Sequence, residues 1–313
     1  MSDTSAIRTD GAGLGILCVL IASFLWGTTG TVATFAPEVG PLAIGAVAMG
    51  LGGILQALLA LRALKRDGTM LRQYWPVVLF GALSVAAYPL AFYSSMYLAG
   101  VTVGTVVTIG SAPLFSALTE WVFDRKTLSK QWLAGSVAGL AGIVLLCFFG
   151  EEQKAAQVVS SSWEVTAGVV LGLIGGLTYA LYTWAAHRLM RKGISSKAAM
   201  GAIFGIGGIL LMPVLLATGG ALLSSWNNAL VGAYMAVIPM FTGYVLFGYA
   251  LARISVSTAT TITLIEPVIA ALLAVVIVGE TLSALGWLGA VLVISCLVIL
   301  SAPQNTFSRK QRR

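Results

Sequence analysis

Residues 257–278 read STATTITLIEPVIAALLAVVIV, an apolar and hydroxyl-bearing run broken near its middle by Glu266-Pro267. At about 1.5 Å of rise per residue, an α-helix of that length crosses the roughly 30 Å hydrocarbon layer of a bilayer. About 154 residues earlier, residues 101–122 read VTVGTVVTIGSAPLFSALTEWV, with Pro113 falling where Pro267 stands. Two runs of membrane length with prolines in register point to a helical membrane protein with an internal repeat.

Outward from these two, further apolar runs lie at 14–33, 41–61, 76–97, 131–149, 166–187, 198–217, 228–251 and 284–301. One such run could be a buried soluble helix, since periodicity does not separate the two cases. Ten of them predict an all-α membrane protein with ten transmembrane helices. Composition agrees: 58% of residues are apolar and 9% charged, where soluble domains carry roughly half and a quarter. The first run continues to Val32 without a small-residue cleavage pattern, so it reads as a retained helix. Cys18, Cys147 and Cys296 each sit inside an apolar run with no Cys-x-x-Cys and no neighbouring His. No metal or disulfide framework is expected.

The breaks between runs are scored by charge. With the amino terminus inside, the cytoplasmic breaks hold Arg8, Arg62, Lys65, Arg66, Arg72, Arg125, Lys126, Lys130, Arg188, Arg191, Lys192, Lys197, Arg253 and the closing Arg309, Lys310, Arg312 and Arg313. Only Lys154 of the 18 basic residues falls outside, among Glu151, Glu152 and Glu164. Basic residues resist translocation, so both termini are expected in the cytoplasm of a bacterial inner membrane. The net charge of +7 thus reads as topology rather than nucleic-acid binding. Trp163, in the longest outer break, reads as an interfacial anchor.

The expected organisation is a cytoplasmic tail at 1–13, a first five-helix repeat at 14–150 and an extracytoplasmic linker at 151–165. A second repeat follows at 166–301, then a basic cytoplasmic tail at 302–313. Thr127-Leu128 falls on Thr281-Leu282, and Trp132-Leu133 near Trp287-Leu288. Five is odd, so consecutive repeats enter the membrane in opposite senses. Inverted repeats suit alternating access, because exchanging the conformations of the halves exposes the site to the other side.

Ala250-Leu251, Ser257-Thr258-Ala259, Glu266-Pro267, Ala270-Ala271-Leu272-Leu273, Gly279-Glu280-Thr281-Leu282 and Trp287-Leu288-Gly289 resemble the closing repeat of the EamA-type drug/metabolite transporter superfamily. Tyr179-Ala180-Leu181-Tyr182 followed by Arg188 is similar to that family's sixth helix. The first half departs where Asp124-Arg125-Lys126 replaces a Gly-Glu pair. The resemblance implies ten helices, a central cavity and export of small molecules. Within the superfamily the chain looks most like the amino-acid exporters, including those for aromatic amino acids.

Chemistry-bearing residues are few. No P-loop, His-Glu-x-x-His or Gly-x-Ser-x-Gly occurs, so no enzyme and no cofactor is expected. The single histidine, His187, sits beside Arg188 at a helix end and reads as interfacial. Gly168, Gly172 and Gly176, Gly135 and Gly139, and Gly201 and Gly205 have the spacing of close helix contacts. Pro89, Pro113, Pro239 and Pro267 are candidate hinges, with Pro113 and Pro267 as repeat mates. A matched pair of breaks would mark a midplane site, and a static kink is the competing reading.

Thr102, Thr105 and Thr108 share one helix face, although threonines also bond their own backbone. Glu266 is the only carboxylate read as deep in a span, with Glu120 closer to water. A carboxylate there must be neutral, paired or wetted. It could couple a proton, hold a substrate ammonium or serve structure. Trp26, Tyr88, Tyr179, Tyr182, Tyr244 and Phe247 form an aromatic set suited to an amphipathic ligand. With Thr105, Thr108 and Glu266 they make up the expected substrate site. No Lys or Arg lies at mid-span, which disfavours phosphorylated substrates.

The sequence therefore reads as a secondary exporter of neutral or zwitterionic small metabolites, with amino acids, aromatic ones included, as the expected substrates. Its partners are the substrate and the lipid bilayer, with no nucleic acid. Broad export of apolar cations, with Glu266 as counter-charge, is the alternative; a channel would need a filter-like loop.

Overall fold

The computed structural model describes residues 11–99, 101–125, 129–149, 162–278 and 283–301, and every regular element in them is a helix. Apart from short helical pieces at Leu61–Arg66, Gly68–Gln73 and Gly219–Leu223, these are, in chain order, α1 (Ala12–Ala33), α2 (Pro41–Leu59), α3 (Trp75–Ala99), α4 (Val101–Asp124) and α5 (Lys130–Phe149). They continue with α6 (Ser162–Arg191), α7 (Ser196–Thr218), α8 (Trp226–Leu251), α9 (Val256–Ile277) and α10 (Ala284–Ser301). Seven of the described helices, α1 to α3 and α6 to α9, are long and apolar enough to cross a membrane. Lys126, Glu151, Glu152, Lys154, Gly279-Glu280-Thr281-Leu282 and both tails beyond Gly11 and Ser301 lie outside the described residues. So do the side chains of Thr102 and Cys147.

The helices invert the burial logic of a soluble protein. On α1, Leu14, Leu17, Ile21 and Phe24 are exposed at helical spacing, while Cys18, Val19, Ala22 and Trp26 are buried. Exposed apolar stripes face lipid, and small and aromatic residues face neighbouring helices. Helix starts follow local chemistry. Pro41 opens α2 at its first turn, and Ser195, Ser225 and Ser255 accept hydrogen bonds from backbone N–H groups of α7, α8 and α9.

Small residues set the helix contacts. Beside α3, a Cβ on Gly168 of α6 would stand 2.7 Å from Ala99 N. One on Gly205 of α7 would meet Ala57 Cβ of α2 at 2.6 Å, and one on Gly142 of α5 would meet Gly289 O of α10 at 2.6 Å. The principal contacts are α3 with α6, α1 with α8, α4 with α6, α1 with α9, α2 with α7 and α5 with α10.

Three helices depart from α geometry. α2 carries a wide π turn at Ala46–Leu51, and α8 carries one at Ala236–Thr242 that contains Pro239. In α9, a 3-10 turn at Thr263–Ile265 separates Val256–Ile262 from Glu266–Leu273. Pro267 thus follows a real break. Pro113 does not: α4 continues as one α-helix through it, as α3 does through Pro89. The expected matched pair of breaks is present on one side only. Pro removes one backbone donor, but the packed neighbours of α4 keep its helix straight enough to continue.

Glu120 corrects a further expectation. It is buried, at 2% exposure, rather than wetted. Its Oε2 accepts the backbone N–H of Ser257 at 3.3 Å, in the first turn of α9. The unsatisfied N–H groups and dipole of a helix start make that a favourable place for a carboxylate.

Where α2 joins α3, Asp67 accepts hydrogen bonds from Ser195 N (2.9 Å) and Ser195 Oγ (2.6 Å), tying that connection to the start of α7. Arg66 beside it, and then the Ser195 hydroxyl, hold its carboxyl well below the usual carboxylate range.

Candidate substrate cavity

The breaks in α8 and α9 meet α1 at one level. Pro239 lacks an N–H, so the α-helical bond to the preceding turn is lost and the backbone widens there. Its carbonyl accepts the indole N–H of Trp26 at 2.9 Å. Gly243, four residues on, lies under the same indole: a Cβ would come 2.7 Å from Trp26 Nε1. Gly27 does the equivalent for α9, where a Cβ would stand 2.8 Å from Ile269 Cγ2 and 3.1 Å from Glu266 O. Two glycines and a broken turn thereby press α1 onto α8 and α9 and aim Trp26 inward.

The resulting cavity is lined by Trp26, Thr29, Met49, Tyr88, Phe92, Tyr93, Tyr179, Met240, Tyr244 and Glu266. Tyr88 stacks on Phe92 at 5.7 Å and meets Tyr179 at 5.5 Å; Trp26 meets Tyr244 at 4.8 Å. The rings offer apolar faces with hydroxyls at their rims. Glu266 supplies the one charged group in the lining, and no described residue forms an ion pair with it. Free space amounts to about 20 Å³, whereas ligand pockets run to roughly 300–1,000 Å³. The cavity is contracted in this conformation.

Five of the nine expected site residues converge here: Trp26, Tyr88, Tyr179, Tyr244 and Glu266. Tyr182 and Phe247 lie behind the lining. Tyr182 shares a 2.7 Å hydrogen bond with Tyr244, and Phe247 packs 5.3 Å from Trp26. The threonines are elsewhere. Thr108 is buried against α6, where a Cβ on Gly175 would touch its methyl at 2.9 Å, and Thr105 is half-buried outside the lining. Thr108 stands where the α6 glycines have a small partner opposite them. The sequence reading missed Thr29, Met49, Phe92, Tyr93 and Met240. Phe92 carried a signal, since it lies one helical turn from Tyr88 and faces the same way.

Among the described residues, no group of His, Cys, Asp and Glu could hold a metal ion. His187 Nδ1 lies 2.7 Å from the Leu251 carbonyl, a link between α6 and α8.

A bundle of membrane helices around a small aromatic cavity with one carboxylate in its lining is the arrangement of a membrane transporter. The sequence pattern of the EamA-like transporter family matches twice, at residues 13–148 and 166–302. The chain belongs to the EamA-like transporter family and is a multi-pass membrane transporter, not an enzyme. It is 35% identical over 291 residues to the uncharacterized transporter YwfM of Bacillus subtilis (strain 168), covering 92% of this chain and 94% of the relative. It is 26% identical over 241 residues to a probable terminal-alkyne amino-acid exporter of Streptantibioticus cattleyicolor, with 75% of each chain covered. The threonine/homoserine exporter RhtA of Salmonella typhimurium (strain SL1344) is 25% identical over 297 residues, covering 94% of this chain and 92% of the relative.

Proposed function

We propose that this chain exports amino acids or closely similar zwitterions from the bacterial cytoplasm, through the cavity around Glu266. The observation that carries the reading is the lining itself: one carboxylate with no ionic partner among the described residues, ringed by Trp26, Tyr88, Tyr93, Tyr179 and Tyr244. A carboxylate with aromatic faces attracts an ammonium group by charge and by cation–π interaction, and the rings take up an apolar side chain. Two relatives named as amino-acid exporters point the same way.

In this proposal all ten helices cross the membrane, five in each of two inverted repeats spanning 14–150 and 166–301, with both termini cytoplasmic. The contact pattern supports it. Exchange the halves, and α3 with α6 becomes α8 with α1, α4 with α6 becomes α9 with α1, and the pairs α2–α7, α4–α9 and α5–α10 map onto themselves. The two family matches and the basic asymmetry of the breaks agree. Because the cavity is contracted, loading requires the helices around it to part, as alternating access demands. Pro239 and Pro267, at the turns that depart from α geometry, are the hinges of this reading.

Glu266→Gln tests it. Gln keeps the volume and a hydrogen-bonding head but removes the charge that holds the ammonium. In proteoliposomes, binding of neutral amino acids and exchange between the two sides should both fall, by about tenfold or more for one charged contact. Loss of proton-driven accumulation with exchange intact would assign Glu266 to proton coupling instead. Transport of lipophilic cations without amino-acid flux would favour the cation exporter. Wild-type behaviour on every count would leave Glu266 without a functional role.

A further inference from the structure

A second charged site lies away from the aromatic cavity, where the last turns of α4 and α6 meet. It is a pocket of about 130 Å³ lined by Asp124, Arg188, Arg191 and Lys192, with room for about four waters. Asp124 organises it. Its Oδ1 accepts an Arg188 N–H at 3.2 Å and lies 3.7 Å from Arg191, while its Oδ2 accepts the Trp184 indole N–H at 3.1 Å. The Arg188 guanidinium sits 5.1 Å over the Trp184 ring, and the Lys192 ammonium 5.9 Å from the Tyr74 ring. One carboxylate against three cations leaves two positive charges on the pocket.

The surroundings are apolar on the other side. Phe123 packs 4.8 Å from Trp184, and Phe80 meets it edge-on at 6.4 Å. Both phenylalanines and Trp121 are exposed. A charged pocket collared by exposed aromatics is complementary to an amphipathic anion.

The two repeats differ at this very place, with Arg125-Lys126 in the first where the second has Gly279-Glu280. A shift of about 154 residues sets Asp124 against Val278, and Arg188 and Lys192 against Thr34 and Glu38. The cluster therefore has no counterpart in the other half. Basic residues that only fix orientation need no particular geometry. Here three of them are arranged around one nearly buried carboxylate.

We propose that this pocket binds the phosphate of an anionic membrane lipid. Arg188, Arg191 and Lys192 hold the headgroup, and the acyl chains run along Trp121, Phe123 and Phe80. Basic pockets between membrane helices are suited to such headgroups, and guanidinium N–H pairs to phosphate oxygens. The site is independent of the substrate reading.

Native mass spectrometry of the purified full chain, relipidated with equal phosphatidylglycerol and phosphatidylcholine, tests this. Wild-type protein should retain phosphatidylglycerol preferentially. Arg191→Gln and Lys192→Gln, which leave the Arg188–Asp124 contact in place, should each weaken that preference about fivefold. Equal retention of both lipids by the wild type would overturn the proposal, as would an undiminished preference in the variants. Inorganic phosphate in place of lipid is the third arm: stable retention of it, with no displacement by phosphatidylglycerol, would make this a soluble-anion site and also overturn the proposal. If the variants aggregate, wild-type protein decides alone. A preference that persists at about 1 M salt, where the screening length is roughly 3 Å, does not come from these charges.

Discussion

Gly208→Ala probes the seam between the halves. Gly208 of α7 faces α2 so closely that a Cβ would stand 2.6 Å from Gly50 O, 3.1 Å from Ile54 N and 3.4 Å from Gly53 C. All three are backbone atoms, which cannot rotate aside. Restoring ordinary contact requires α2 and α7 to separate by about 0.8 Å, loosening the neighbouring contacts of Gly201 with Ala60 and Gly205 with Ala57. Overpacking of this kind costs about 1–3 kcal/mol. Ala gains back about 1 kcal/mol over Gly in helix propensity, so the net loss is about 0–2 kcal/mol. Gly30→Ala on α1 is the matched control, because nothing lies within 4 Å of its Cβ and only the propensity gain remains. Apparent melting temperatures of both variants in one detergent should straddle the wild type, separated by several degrees at roughly 2–4 °C per kcal/mol. Coincident melting temperatures, or a more stable Gly208→Ala, would refute the close contact between α2 and α7.

Asp67→Asn should lose about 1–3 kcal/mol by weakening the charged acceptor for Ser195, measured by thermal unfolding at pH 7. Because the folded carboxyl titrates below its unfolded value, its contribution is complete above about pH 4 and is lost as pH falls through the folded value. The variant's melting curve should be flatter than the wild type's over that acid range. Arg125 holds φ at +52°, a left-handed conformation that suits glycine, and its repeat mate is Gly279. Arg125→Gly should raise stability by about 1 kcal/mol, seen as a higher melting temperature. Tyr182→Phe should cost about 1 kcal/mol through the lost bond to Tyr244, with substrate Kd unchanged by titration calorimetry, because Tyr182 stands behind the lining.

The fold class was legible because lipid imposes simple demands: helices of one length, apolar on all sides, with charge confined to the breaks. Trp26, Tyr88, Tyr179, Tyr244 and Glu266 were legible as large amphipathic or ionisable groups in apolar runs. What the sequence withheld was rotation. Thr105 and Thr108 share a face, but helical spacing does not say which neighbour that face meets; Thr108 meets the α6 glycines. Tyr182 lies one turn from Tyr179 and equally fits a cavity by type, yet depth along the bundle put it behind Tyr244. Glu120 and Glu266 differ in the opposite sense from their chain positions. The carboxylate nearer a helix end is the more buried, because the start of α9 docks on it. Pro113 and Pro267 are matched in sequence, but only α9 has the preceding 3-10 turn.

The wide turn at Ala236–Thr242 has a consequence for phase. A π turn stores one residue beyond the α-helical repeat, and each residue of an α-helix advances it by about 100°. Everything in α8 after Thr242, including Tyr244 and Phe247, is offset by that angle from the pattern set by Trp226–Met235. An accessibility scan along α8 will therefore read as two waves out of step rather than one. A single-residue deletion within the turn would bring them back into step and carry Tyr244 about a quarter-turn away from Trp26. The rotation of the aromatic set on α8 is thus fixed by chain length inside one turn, and not by the spacing of the aromatics themselves.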